Sequence, residues 1–526
     1  MPRRGLYGLL LVVPGIVIGV AVCIASAQGE RFKNSTAVDR PAVLFPDCNG
    51  AVIPPNIAPL NFIVRESGTS YGARISSVQG NPIEVISRDP DIRIPEKRWH
   101  DLLNRNRGRE LRIDVLVKDD TGQWKRFHSV TCMIAKEDID GFLVYRKMHP
   151  THQQVKGPIG IICRDLTGFK ESVMLDSARC EGGCINCHAF PQNRSEKMLL
   201  GVRSARYGIA TLVVEGDSVH KIGEKFGYTS WHPSGRMAVY SVNKLPMFYH
   251  ASRNEPRDTI DLDSMLAFYK SDSKTIGRIP SLAQKDRLEN WPAWSGDGRT
   301  LYFCSAPKLW SDKAEYPPVQ YDQVRYDLMR IAYDPNADRW GEVETVLSSK
   351  DTGKSIAMPR CSPDGRWLSF CMCDYGYFPA WQENSDLYLM DLSASKETGP
   401  FPYQRLEINS DKSESWQTWS SNSRWLVYSS KGLHGVFTRL FITYVDPEGK
   451  AHKPIVLPQK DPAFYESCLL AFNTPELVIQ PPRVKGEQLA RVFRRPGDIQ
   501  APMSITKATP IAKPTPQTSP GQKERD

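Results

Sequence analysis

Beyond its first 27 residues the chain has no apolar run long enough to cross a bilayer, which excludes a polytopic membrane protein. It has no single basic face. The formal net charge of +9 is mild over 526 residues, and part of it lies in the two termini. That argues against a nucleic-acid-binding protein. There is no G-x-S-x-G nucleophile elbow, no Gly-rich phosphate loop and no dinucleotide fingerprint, so nothing points to an α/β-hydrolase or a nucleotide-dependent enzyme. Twelve cysteines are present, yet their spacing is not that of a regular disulfide scaffold. Cys48, Cys132, Cys163, Cys304, Cys361, Cys371, Cys373 and Cys468 are scattered, several inside apolar strand-like runs. Most of them read as small buried hydrophobes.

What is present is an ordinary globular composition, 40% hydrophobic and 24% charged. The length exceeds what one hydrophobic core serves, so two or more domains are expected. Forty prolines and 37 glycines, with 20 Tyr and 12 Trp, favour strands and turns over long helices. At the amino terminus, Pro2-Arg3-Arg4 precedes an uncharged apolar run from Leu6 to Ile24, and Ala25-Ser26-Ala27 follows. This reads as an export segment over 1–27, either cleaved as a signal peptide or retained as a single membrane anchor. The body is then expected in the periplasm or on the outer face of the cytoplasmic membrane. At the other end, the Pro-, Thr- and Lys-rich stretch 496–526 is expected to be a disordered tail.

One cysteine cluster carries chemistry. Cys184-Ile-Asn-Cys187-His188 is a C-x-x-C-H, the attachment pattern of a c-type haem. Two thiols three residues apart each form a thioether with one porphyrin vinyl group, and the adjacent histidine becomes the proximal iron ligand. Export supports the reading, because bacterial c-type haems are attached outside the cytoplasmic membrane. A zinc site would need a second ligand pair at workable spacing, and His149-x-x-His152 is too short and has no cysteine pair. A thioredoxin-type pair would need a βαβ context. One motif predicts one covalent haem c. Cys180, close by, either pairs with Cys163 or is simply buried. For the sixth ligand, Met174, Met198, His149, His152, His232 and His250 are near in sequence. His250 is favoured because Met247-Phe248-Tyr249-His250 reads as a loop at a rim; Met198 is the runner-up, and an open position is the third option.

Downstream, a repeat recurs. Trp231-His-Pro-Ser-Gly235-Arg236, Trp294-Ser-Gly-Asp-Gly298-Arg299, Cys361-Ser-Pro-Asp-Gly365-Arg366 and Trp419-Ser-Ser-Asn-Ser423-Arg424 each lead into an alternating strand. Each is a tight turn followed by a strand. A second strand follows later, as in Asp386-Leu-Tyr-Leu-Met-Asp391. The pattern resembles the TolB-type β-propeller repeat. Ser362-Pro-Asp-Gly-Arg-Trp-Leu368 matches it closely, while His232, Ser234, Asn422 and Ser423 depart from it. The turn positions 235, 298, 365 and 423 are spaced by 63, 67 and 58 residues, longer than a minimal blade of about 40–45. Partial units at Lys197–Val202 with Ile209–His220, and around Cys468–Ile479, bring the expectation to five or six blades.

The fold expected is therefore all-β. Residues 28–155 read as a β-sandwich, 156–196 as a short haem-binding connector, and 197–495 as a TolB-like propeller. About 40 residues are too few for a separate cytochrome c domain, so the neighbouring β domains must help to enclose the haem. The whole combination resembles a set of exported bacterial haem-bearing TolB-like propeller proteins. That resemblance implies architecture and cofactor more than activity. Three functions follow from it: electron transfer through one covalent haem, a haem enzyme (peroxidase-like or acting on a small molecule), or a protein-interaction scaffold with a structural haem. The partner in the first and third cases is a redox or other exported protein on a propeller face. The chain after the repeats is too short for a hydrolase domain, which excludes a prolyl-peptidase reading.

Overall fold

The computed structural model describes residues 35–150, 157–282, 284–311, 314–394 and 401–497. The export segment, His152 and nearly all of the tail lie outside them. Among the described residues no helix is long and apolar enough to cross a membrane.

Six four-stranded antiparallel sheets form the body. Blade 2 runs Cys184–Ala189, Lys197–Ser204, Gly208–Glu215 and Ser218–Ile222. Blade 3 runs Thr229–Trp231, Met237–Lys244, Asp263–Lys270 and Thr275–Arg278. Blade 4 runs from Arg287 to Leu347, blade 5 from Ser355 to Arg405 and blade 6 from Glu414 to Val456. Blade 1 is assembled from both ends of the ring. Its strands Phe142–Met148, Ile159–Asp165 and Glu171–Asp176 are joined by Ala471–Val478 as the inner strand, with Phe142 opposite Val478. The inner strands of the six sheets touch in sequence, from Cys184–Ala189 round to Ala471–Val478 and back. The ring is closed, so each inner strand, paired on one side only, has its other edge shielded by neighbouring blades.

The repeat turns meet head to tail around one face. His232, where the first unit departs from the repeat, places Nε2 3.0 Å from the Gly298 carbonyl oxygen of the next turn. The Asp364 amide donates to Ser423 Oγ at 3.0 Å, joining blades 5 and 6. Asn193 Nδ2 donates to the carbonyl oxygens of Trp419 and Leu477 at 2.8 and 2.9 Å, which ties blade 2 across the closure.

The segment 35–135 forms a seven-stranded sheet and a three-stranded sheet. The helix Glu96–Arg105 packs Trp99, Leu102 and Leu103 inward, a spacing of three and four residues that keeps them on one face. One hydrophobic cluster joins this unit to blades 6 and 1, with Trp99, Ile113 and Ile134 on one side and Trp425, Ile442 and Leu143 on the other.

Two boundaries differ from the sequence reading. Leu143–Arg146, expected in the sandwich, pairs with Ile159–Asp165 and Ala471–Val478 in the ring. The segment 156–196, expected as a connector, supplies two strands of blade 1 and the inner strand of blade 2. The physical reason is that blade 1 has no repeat turn of its own, so its strands look like parts of the preceding domain. The stretch around Cys468–Ile479 is a single strand that completes blade 1 rather than a further unit.

Candidate functional site

Every blade sends its inner strand along the axis, and most of these strands are broken by a bulge there. Trp291, Met358, Trp416 and Thr474 have left-handed φ values of 49° to 57°, at the register shifts of blades 4, 5, 6 and 1. Bulges re-aim side chains and gather near functional sites. In blade 2 the shift falls between Asn186 and His188. The C-x-x-C-H therefore straddles the axial bulge of an inner strand, at the propeller channel rather than between domains.

His188 lines this channel with Tyr228, Trp291, Met358, Trp416 and Glu476. It is 4% exposed. Its Nε2 lies 3.3 Å from the Val144 carbonyl oxygen, while Nδ1 is buried with no hydrogen-bond partner. A buried polar atom left unpaired costs about 1–3 kcal/mol. Burial pushes the imidazolium down to about 3, so the ring is neutral, the form that binds a metal. One nitrogen is oriented by a backbone carbonyl and the other is left over, as in a metal-ligating histidine. Around the ring, Tyr228 stacks on Trp291 with centroids 3.4 Å apart, and Trp291 meets Trp416 edge-on at 5.2 Å. Arg360 pairs with Glu476, whose carboxyl burial raises.

Cys184 opens on the adjoining cavity, about 720 Å³ including the open space at its mouth. Trp416 borders both cavities. Met148, Met247 and Trp381 wall the second one with Arg146, and Arg257 and Lys431 line it too, both paired with Glu255 at 2.6 Å. Apolar walls with a few charged groups are what a cofactor pocket requires. Between the two cysteines, Asn186 is held by Arg146 and donates to Cys184 Sγ at 3.1 Å. Arg146 Nε in turn donates to Asn473 Oδ1 at 2.8 Å. The backbone of Cys187 lies in the same strand as Cys184 and His188.

The other expected residues are elsewhere. Met198 is fully buried in a core cluster between blades 1 and 2. Met174 joins the same cluster. Cys180 and Cys163 also share it, as free thiols. His250 lies between the two strands of a hairpin inserted in blade 3, Met247–Tyr249 with Arg257–Thr259. Its Nε2 lies 2.9 Å from Asp258 Oδ2, and it is not among the residues that line either cavity. His232 uses both nitrogens in the turn contacts, Nδ1 lying 2.7 Å from Ser234 Oγ. The wall residues Met148, Met247, Trp416 and Arg146 were missed. They lie outside the motif in sequence, Met148 and Arg146 on the strand of blade 1 next to its inner strand.

No family model matches the chain, and no curated protein matches it significantly. Among solved structures, an oligogalacturonate lyase in complex with manganese is 13% identical, with TM-score 0.35, over 56% of this chain and 69% of that one. A luciferin-regenerating enzyme is 10% identical, with TM-score 0.33, over 60% of this chain and 91% of that one. Porphyromonas gingivalis dipeptidyl peptidase 4 is 14% identical, with TM-score 0.30, over 56% and 43%. At these scores the likenesses carry no argument about activity. The chain is an all-β propeller by its own sheets and their closure.

Proposed function

We propose that the chain is an exported protein carrying one covalent c-type haem in the propeller channel, and that it works in electron transfer. The observation that carries the proposal is the position of the C-x-x-C-H on an axial strand, with His188 buried, neutral and holding one nitrogen unpaired. Cys184 and Cys187 would hold the porphyrin, and His188 the iron. Bound there, haem supplies one-electron redox chemistry. The chain's own residues do the rest. Val144 orients the imidazole. Trp381, Trp416 and the two methionines would face the porphyrin with apolar surface, and Arg146 would offer positive charge to the haem carboxylates, Lys431 being paired with Glu255. Met148 and Met247 line the cavity of Cys184, next to that of His188, so their thioethers, rather than His250 or Met198, would be the ones to supply a further iron ligand. A thioether there would raise the reduction potential.

The test is the spectrum of the protein exported from a strain competent for c-type haem maturation. A low-spin spectrum that does not shift with carbon monoxide supports electron transfer. Met148→Ala or Met247→Ala is expected to open the iron to carbon monoxide, whereas Met198→Ala and His250→Ala are not. His188→Ala is expected to keep the thioethers and lose the low-spin form. A high-spin, carbon-monoxide-binding wild type moves the reading to a haem enzyme.

A further inference from the structure

We infer that Cys48 and Cys132 form a structural disulfide in the exported protein. The two residues, free thiols in the structure, sit in the amino-terminal unit, 84 positions apart, and both are buried, at 5% and 2% exposure. Cys132 Sγ donates to the Cys48 carbonyl oxygen at 3.0 Å. The two thiol side chains also interact directly, and with burial this holds Cys132 far above the ordinary thiol range.

The surrounding backbone fixes the pair in place. Gly50 N donates to Thr131 O at 2.7 Å, and Met133 N to Ala51 O at 2.9 Å. Thr131 N donates to Asn49 Oδ1 at 3.1 Å. Beyond these, Val52 and Ile53 pair in parallel with Met133 and Ile134. Thr131 and Met133, on either side of Cys132, are thus bonded to the residues that directly follow Cys48, which holds the two cysteines as neighbours across the pairing. Other buried thiols have different partners: Cys373 Sγ donates to Tyr375 O at 3.3 Å, and Cys371 Sγ lies 3.4 Å from Gln417 Oε1.

The step balances simply. One S–S bond forms, two S–H bonds break, and two protons leave. The two electrons pass to a disulfide of an exported thiol oxidoreductase, which becomes a dithiol. Such oxidants act outside the cytoplasm, so the inference rests on the export reading for its oxidant but not on the haem. The bond would staple a loop that also reaches the propeller, since Lys453 in the loop before the last strand of blade 6 pairs with Asp47 at 2.5 Å.

The experiment is peptide mapping of the full exported chain, denatured and alkylated without reductant. The expected result is one linked species containing the Cys48 and Cys132 peptides, two hydrogens lighter than the pair, which separates on reduction. Reduction is also expected to lower Tm by roughly 5 °C, and a Cys48→Ser, Cys132→Ser double variant to lose that response. Full alkylation of both cysteines in the unreduced protein, or a link from either to another cysteine, would overturn the inference. The haem reading is scored separately, on the peptide that contains Cys184.

Discussion

At the scale of single residues, a pattern is legible where it is local and illegible where it is assembled. Cys184, Cys187 and His188 lie within five residues, so the C-x-x-C-H spacing that the haem proposal starts from is visible in the sequence alone. Its walls come from strands nearly three hundred residues apart, and no local signal marks Met148 or Trp416 as neighbours of Cys184. The same holds for buried charge. Asp261 reads as an ordinary loop aspartate, yet it is 3% exposed and accepts hydrogen bonds from Ser264, Asn290 and Tyr326. Burial pushes its carboxyl up to about 7, against an ordinary 3.8. Between those values the folded chain keeps a proton that the unfolded chain has lost, so this group makes stability fall as pH rises from about 4 to 7. Asp261→Asn should remove that part of the slope. Relative to the wild type, its Tm should be more favourable at pH 8 than at pH 5, and parallel curves would refute the assignment.

At the scale of elements, the repeat turn carries most of what was legible. In three turns one side chain does the same work: Asp297, Asp364 and Asn422 each accept from the serine two residues before and from the arginine amide two residues after. Asn422 therefore departs from the repeat in name only, and Ser423 adopts the left-handed φ of 59° that glycine supplies in the other turns. Blades 1 and 2 were only partly legible because their inner strands end differently. Blade 2 turns through Pro191-Gln192-Asn193, with left-handed φ at Gln192 and Asn193, and blade 1 borrows its inner strand from the carboxy-terminal side. Two glycines separate backbone strain from contact. Gly298 and Gly365 have φ of 70° and 77°. A Cβ at Gly298 would lie 2.3 Å from His232 Nε2, whereas at Gly365 nothing lies within 4 Å. Gly365→Ala is expected to cost about 1–2 kcal/mol from the left-handed backbone alone. Gly298→Ala should cost more, because the contact between blades 3 and 4 must also shift, and denaturant titration of both variants checks the order.

At the scale of the whole molecule, stability depends on closing the ring and on seating the amino-terminal unit against the closure. Asn193 and Asp140 sit where these meet. Asn193 reaches blade 6, the closing strand and Asp140. Asp140 also accepts from Ser421 N at 2.8 Å and Ser421 Oγ at 2.5 Å. Asn193→Ala is expected to cost about 1–3 kcal/mol through the orphaned carbonyls, and to loosen amide-exchange protection first in 471–478 and 184–189. Uniform loss of protection would contradict that placement. All-β architecture was legible from turns and alternation; the closure was not, because pairing Phe142 with Val478 leaves no trace in either segment alone. The ring and the haem motif meet on one strand, and the account depends on that strand carrying a cofactor. The most direct measurement is the mass of the peptide containing Cys184–His188 from the protein exported by a haem-maturing strain. The account predicts that peptide with one haem attached through both cysteines. An unmodified peptide, with free thiols or a Cys184–Cys187 disulfide, would contradict it.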